Sequence, residues 1–100
     1  MNALLDTGKL ESVAFILKTI AHPLRIGIVD LLSKNHEQSV NEICEKLASE
    51  QSLTSHHLQN MKLKGILGSR RDGKNIYYHL KVKEVTNVIS CIESCDHIPI

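Results

Sequence analysis

Apolar residues recur along this chain at two spacings, one helical and one strand-like. Leu10, Val13, Ala14, Leu17 and Ile20 fall three and four residues apart, which predicts an amphipathic helix over 9–21. His22-Pro23 ends it and opens a second helix. Proline suits the first helical position, where its missing N–H would have gone unpaired, and His22 is expected to cap the start. Leu24, Ile28, Leu31 and Leu32 form the apolar stripe of this second helix. A polar connection runs from Asn35 to Gln38. Ser39-Val40-Asn41-Glu42 then reads as a capping box: the serine oxygen takes an orphan N–H, and the glutamate three residues on reciprocates. Val40, Ile43, Cys44 and Leu47 supply the stripe of a short third helix.

A polar break at Ser49-Glu50-Gln51 leads to a fourth helix over 52–64, with Ser52 as its expected N-cap. Leu53, His57, Leu58 and Met61 fall on one side of it; Ser52, Ser55, His56, Gln59 and Lys62 fall on the other. Two strand-like runs follow, 66–71 and 76–81, joined by Asp72-Gly73-Lys74-Asn75, and Asp-Gly between such runs signals a hairpin. Val85, Val88, Ile89, Ile92 and Cys95 predict a fifth helix. The order is α-α-α-α-β-β-α, mainly α with a β-hairpin wing, in one domain over 1–100.

Composition narrows the picture. One hundred residues, 42% hydrophobic and 23% charged, fit a single globular domain with one modest core. The longest apolar run, Val13 to Leu17, falls far short of the ~20 residues that cross a bilayer, and no signal peptide is expected. Three cysteines without paired spacing argue against a disulfide scaffold and for the reducing cytoplasm. No glycine-rich phosphate loop, catalytic triad or spaced carboxylate pair marks an enzyme. The net charge of +1 hides a gradient: −2 over residues 1–50, +6 over 51–83 and −3 over 84–100. A basic block inside a neutral chain suits a polyanion.

A helix pair joined by a tight turn leads into that block, the arrangement whose second helix enters the DNA major groove. Its polar face offers Gln51, Ser52, Thr54, Ser55, His56, Gln59 and Lys62 to base edges and phosphates, with no carboxylate to repel them. Arg70, Arg71 and Lys74 crowd the hairpin turn, where a basic wing reaches phosphates or a neighbouring minor groove.

The sequence resembles the ArsR-type (ArsR/SmtB) winged helix-turn-helix repressors. The matching stretches are Ala21 to Ile26, Ser39 to Ile43, Gln51 to Leu58, Lys64 to Leu67 and Arg70 to Leu80, in order and at family spacing over about 12–82. The resemblance implies a homodimer joined through the first and last helices, repressing from a palindromic operator. It implies none of the family's known sensing sites here. The arsenic-type cysteine run is replaced by Ser39, Val40, Asn41, Glu42 and Ile43, with only Cys44 retained. The zinc-type positions hold Val82, Glu84, Cys95 and Ile98, and the persulfide cysteine of the second helix is Asp30. Two other readings stay open. Cys91 and Cys95, one helical turn apart with Asp96 and His97 beyond, have the spacing for a soft metal, a metalloid or a redox signal, although buried packing is a routine role for such cysteines. Alternatively, the winged helix is a protein-interaction module without an operator.

Overall fold

The computed structural model describes residues 6–95. Eight elements run in chain order: α1 (Thr7–Ile20), α2 (Pro23–Lys34), β1 (Gln38–Ser39), α3 (Val40–Leu47), α4 (Gln51–Leu63), β2 (Leu67–Asp72), β3 (Asn75–Leu80) and α5 (Val85–Glu93). The winged helix-turn-helix pattern holds, with one addition. The polar connection before α3 contains a two-residue strand, β1, that pairs antiparallel with β3 and gives the sheet order β1-β3-β2. Two residues are too few for an alternating pattern to show in sequence. None of the helices is long and apolar enough to cross a membrane among the described residues.

The helix starts follow local chemistry. His22 caps α2 as expected, its Nδ1 accepting the Leu24 N–H at 3.1 Å, and Pro23 opens the helix. The capping box at α3 is complete: Ser39 Oγ accepts the Glu42 N–H at 3.2 Å, and Glu42 Oε1 accepts the Ser39 N–H at 2.8 Å. Ser52, by contrast, is not the cap of α4. The Thr54 N–H already bonds the Glu50 carbonyl at 3.0 Å, so helical bonding begins two residues early and Ser52 lies within the first turn. Similarly, α5 stops at Glu93, and Cys95 lies past its end.

The core gathers Ile28, Val29 and Leu32 of α2 with Ile43 of α3, Leu58 and Met61 of α4, Ile66, and Leu67, Tyr78 and Leu80 of the sheet. Val29 joins it where the expected Leu24 and Leu31 are only half-buried. Leu53, expected on the inner side of α4, is 48% exposed. A polar joint ties the helices together at one end. Arg25 donates from Nε to His57 Nδ1 and from Nη1 to the Thr19 carbonyl near the end of α1, both at 2.8 Å. The His22 ring lies 4.6 Å from that of His57.

Two turns aim α4. Between α3 and α4, the Ala48 and Ser49 N–H groups return to the Glu45 and Cys44 carbonyls, with Ala48 at φ +50°. After α4, the Gly65 and Ile66 N–H groups return to Lys62 and Met61, with Gly65 at φ +84°. Both are Schellman-type closures, which need a left-handed residue. Glycine meets that need without strain; alanine carries a Cβ that opposes it.

Ala48→Gly is therefore expected to stabilise the fold by about 0.5–1 kcal/mol, since relief of left-handed strain exceeds glycine's added chain entropy. Urea denaturation of the two proteins reads this directly, and a lower midpoint for the glycine variant would contradict it. The Arg25–His57 joint predicts a pH dependence. Burial first, then the charges of Arg25, His22 and His56, holds the His57 imidazole below its ordinary value, and its Nδ1 accepts a bond only when unprotonated. The unfolded chain takes up that proton near pH 6.5 and the folded chain resists it. Stability is thus retained above that pH and lost as pH falls through it. Denaturation midpoints at neutral and mildly acidic pH should show a steeper acid loss for the natural chain than for His57→Gln.

Candidate nucleic-acid interface

The inner side of α4 is fully committed to the core, and that fixes its outer side. Thr54, His57, Leu58 and Met61 face inward. Gln51, Ser52, His56, Gln59 and Lys62 are exposed and Ser55 is half-buried. The helix from Gln51 to Leu63 carries no carboxylate.

Thr54 does not belong to this face, contrary to expectation. It is fully buried, and its hydroxyl donates to the Glu50 carbonyl at 2.7 Å. With that proton committed, the 2.6 Å contact with Ser49 Oγ must be donated by Ser49. Thr54 pins the helix-turn-helix corner from inside. Leu53 takes the opposite course: its exposed side chain in the first turn of α4 is an apolar group of the kind that meets a thymine methyl.

The hairpin is a regular two-stranded arm. Cross-strand partners run from Leu67 opposite Leu80 to Asp72 opposite Asn75. Asp72 and Asn75 are the last pair, so the turn proper is Gly73-Lys74 rather than Asp72-Gly73. Gly73 has φ +65° at the first turn position, the place a type II′ hairpin gives to glycine. Arg71 and Lys74 are exposed near the tip. The tip leans back towards the helices, where Lys74 and Asn75 share a cleft of about 220 Å³ with Asn41, Gln51 and Ser55. A second cleft, between Gln59 and Lys62 of α4 and Ser69 and Tyr78 of the sheet, runs along the same helix nearer its end. Asn41 and Asn75 were not evident in the sequence as site residues, because each sits inside a local signature, the capping box and the turn, that explains it without a ligand.

Arg70 is placed differently from Arg71 and Lys74. Its guanidinium forks onto Glu37, lies 4.8 Å from the centre of the Tyr77 ring, and has Nη1 3.7 Å from Asp72. The hydrogen bond from Arg70 holds the Glu37 carboxyl below the usual carboxylate value, and Glu37 in turn raises the guanidinium.

The remaining candidates lie elsewhere. Cys44 is half-buried on α3, while Cys91 and Cys95 are exposed rather than packed. No three His, Cys, Asp or Glu side chains gather to hold a metal among the described residues; Asp96 and His97 lie outside them. Helix α1 buries only Thr19 and Ile20. Leu10, Val13, Phe15 and Leu17 of α1 and Val88 and Ile92 of α5 stay open. Between these two helices runs a groove of about 140 Å³ lined by Val13, Ile16, Leu17, Val82, Val85 and Val88.

Known proteins share this arrangement. Residues 22–68 match the family model described as "Bacterial regulatory protein, arsR family". The transcriptional repressor PagR of Bacillus anthracis is 39% identical over 83% of this chain and 83% of its own. Its crystal structure superimposes with a TM-score of 0.76 at 37% identity, covering 87% of this chain and 99% of that one. The HTH-type transcriptional regulator YgaV of Escherichia coli is 32% identical over 84% of this chain and 85% of its own. A solution structure of Mb0332 from Mycobacterium bovis, described as a homodimeric winged helix-turn-helix DNA-binding domain, gives a TM-score of 0.72 at 27% identity, with 93% and 87% of the two chains covered. The likeness to PagR and YgaV spans both halves of the helix-turn-helix and the hairpin: the chain belongs to the ArsR family of bacterial regulatory proteins.

Proposed function

We propose that this protein is a homodimeric, sequence-specific DNA-binding transcriptional repressor acting on a palindromic operator in the cytoplasm. One observation carries the reading: the carboxylate-free outer side of α4 shares a cleft with the basic tip of the hairpin. A polar helix face beside a cation-bearing arm is the chemistry a duplex takes, base edges for the helix and backbone for the arm. In this reading Gln51, Ser52, Ser55, His56, Gln59 and Lys62 work in the major groove. Gln59 has the amide that pairs bidentately with adenine, and Arg71 and Lys74 meet phosphates.

The open apolar faces of α1 and α5 support the dimer. A soluble chain rarely leaves such a surface uncovered, and a second copy with the same groove buries both by two-fold symmetry. Two recognition helices related by that symmetry require an inverted repeat in the DNA.

Four outcomes test the proposal. Binding to a duplex carrying the region upstream of its own coding sequence should weaken steeply with salt. Arg71→Ala with Lys74→Ala should flatten the log–log salt slope by about 2, one for each lost phosphate contact, and weaken binding to specific and unrelated duplexes alike. An unchanged affinity would remove the hairpin from the interface. Gln59→Ala should lower the preference for that duplex over an unrelated one by about 1–3 kcal/mol while leaving the slope unchanged. Leu17→Glu with Val88→Glu should convert the dimer to monomer in sedimentation equilibrium; a dimer that survives both charges is joined elsewhere.

A further inference from the structure

We propose that the Glu37–Arg70 pair is a brace that sets the angle of the hairpin against α4, so that Arg70 is a positioning residue and not a phosphate contact. The proposal rests on the DNA-binding reading above.

The sheet order makes the pair unusual. Arg70 lies on β2 and Glu37 just before β1, on opposite sides of β3. Arg70 is opposite Tyr77, and Tyr77 is opposite Ser39, so the three strands share one row. Outer strands of such a row stand about 10 Å apart. Arg70 spans that distance over the Tyr77 ring and closes on the Glu37 carboxylate. Nε donates to Oε1 at 3.1 Å and to Oε2 at 3.0 Å, and Nη2 donates to Oε1. Exposed ion pairs usually add little, but a planar fork on a carboxylate fixes direction as well as distance. The aromatic face beneath removes a further degree of freedom.

The position along the arm matters as much as the geometry. Beyond the Arg70–Tyr77 row lie only Arg71 opposite Ile76, Asp72 opposite Asn75, and the turn. The brace therefore clamps the last row before the part of the hairpin that carries Arg71 and Lys74. Both oxygens of Glu37 are engaged, and Asp72 flanks the remaining side of the guanidinium. A phosphate at Arg70 would compete with two carboxylates for the guanidinium.

The test compares Arg70→Ala, Arg70→Lys, Glu37→Ala, the double alanine variant and the charge-swapped Glu37→Arg/Arg70→Glu, each verified as folded by thermal melting. The probe is the upstream-region duplex, titrated over a range of salt. Each single alanine variant should weaken binding roughly tenfold, and the double variant should be no weaker than either, the mark of a coupled pair. The salt slope should stay at the natural value throughout. Arg70→Lys keeps the charge and loses the fork, so it should bind nearly as weakly as Arg70→Ala. The swapped pair should recover most of the loss. A slope shallower by about 1 in Arg70→Ala, with Arg70→Lys binding like the natural chain, would make Arg70 a phosphate contact and overturn the brace. Tighter binding by Glu37→Ala with a steeper slope, or no effect of Arg70→Ala, would overturn it too. Amide relaxation at Gly73 and Lys74, measured without DNA, should report a looser tip in Arg70→Ala than in the natural chain; unchanged relaxation counts against the brace. A natural chain that binds no duplex sinks the DNA-binding reading instead, and the relaxation result still judges the brace.

Discussion

A helix that meets DNA must be held from behind, and everything else in this molecule follows from how α4 is held. Leu58 and Met61 are fully buried among Ile28, Val29, Ile43 and Ile66. Each such side chain stabilises the fold by about 1.5–3 kcal/mol. Apolar packing resists withdrawal but not sliding or rotation, because it has no direction. The directional constraints come from the two polar anchors on the same inner side. Thr54 ties the first turn of α4 to Glu50 and Ser49, and His57 ties its middle to Arg25 and, through Arg25, to the end of α1. Two hydrogen-bonded anchors one turn apart fix both the register and the rotation of the helix. The outer face is free of such duties, which is why it can be composed for a ligand.

The charge gradient acquires a spatial meaning in this frame. The basic third of the chain is α4 and the hairpin, whereas α1 and α5 carry little net charge. Open apolar side chains belong to α1 and α5, which share a groove of their own. In the proposed reading the polyanion-facing surface is polar and basic and the copy-facing surface is apolar, so neither competes for the other's partner.

Much of this was legible in the sequence because the relevant signals are local. The capping box at Ser39, the His22-Pro23 break, the helical stripes and the basic hairpin each span a handful of residues and appear where expected. Legibility failed where tertiary context decides. Ser52 has the chemistry of a cap, but the bond from Thr54 to Glu50 starts the helix before it. Thr54 looks like a groove-facing hydroxyl, but its place in the turn of the helix puts it inside. β1 is visible only through its partner, Tyr77 and Tyr78 of β3. Arg70 and Arg71 are adjacent and chemically identical, and strand alternation alone separates their surroundings. Nothing in a single sequence reveals that a glutamate thirty-three positions earlier meets one of them.

Ser39 belongs to two structures at once. Its backbone pairs with Tyr77 as the last residue of β1, and its side chain caps the first turn of α3. A residue shared in this way couples the cooperativity of both elements. The middle of the hairpin, at Tyr77 and Tyr78, cannot part from β1 without loosening the start of α3, and α3 cannot fray without releasing the strand that closes the sheet. The start of α3 and the middle of the hairpin are therefore expected to open as one unit, protected from solvent exchange to a common extent. Only the few residues around Gly73 are left to fluctuate by themselves. The arm is thus a rigid lever with a short pliant end, adapting to the contour of a bound surface without any cost to the fold that aims it.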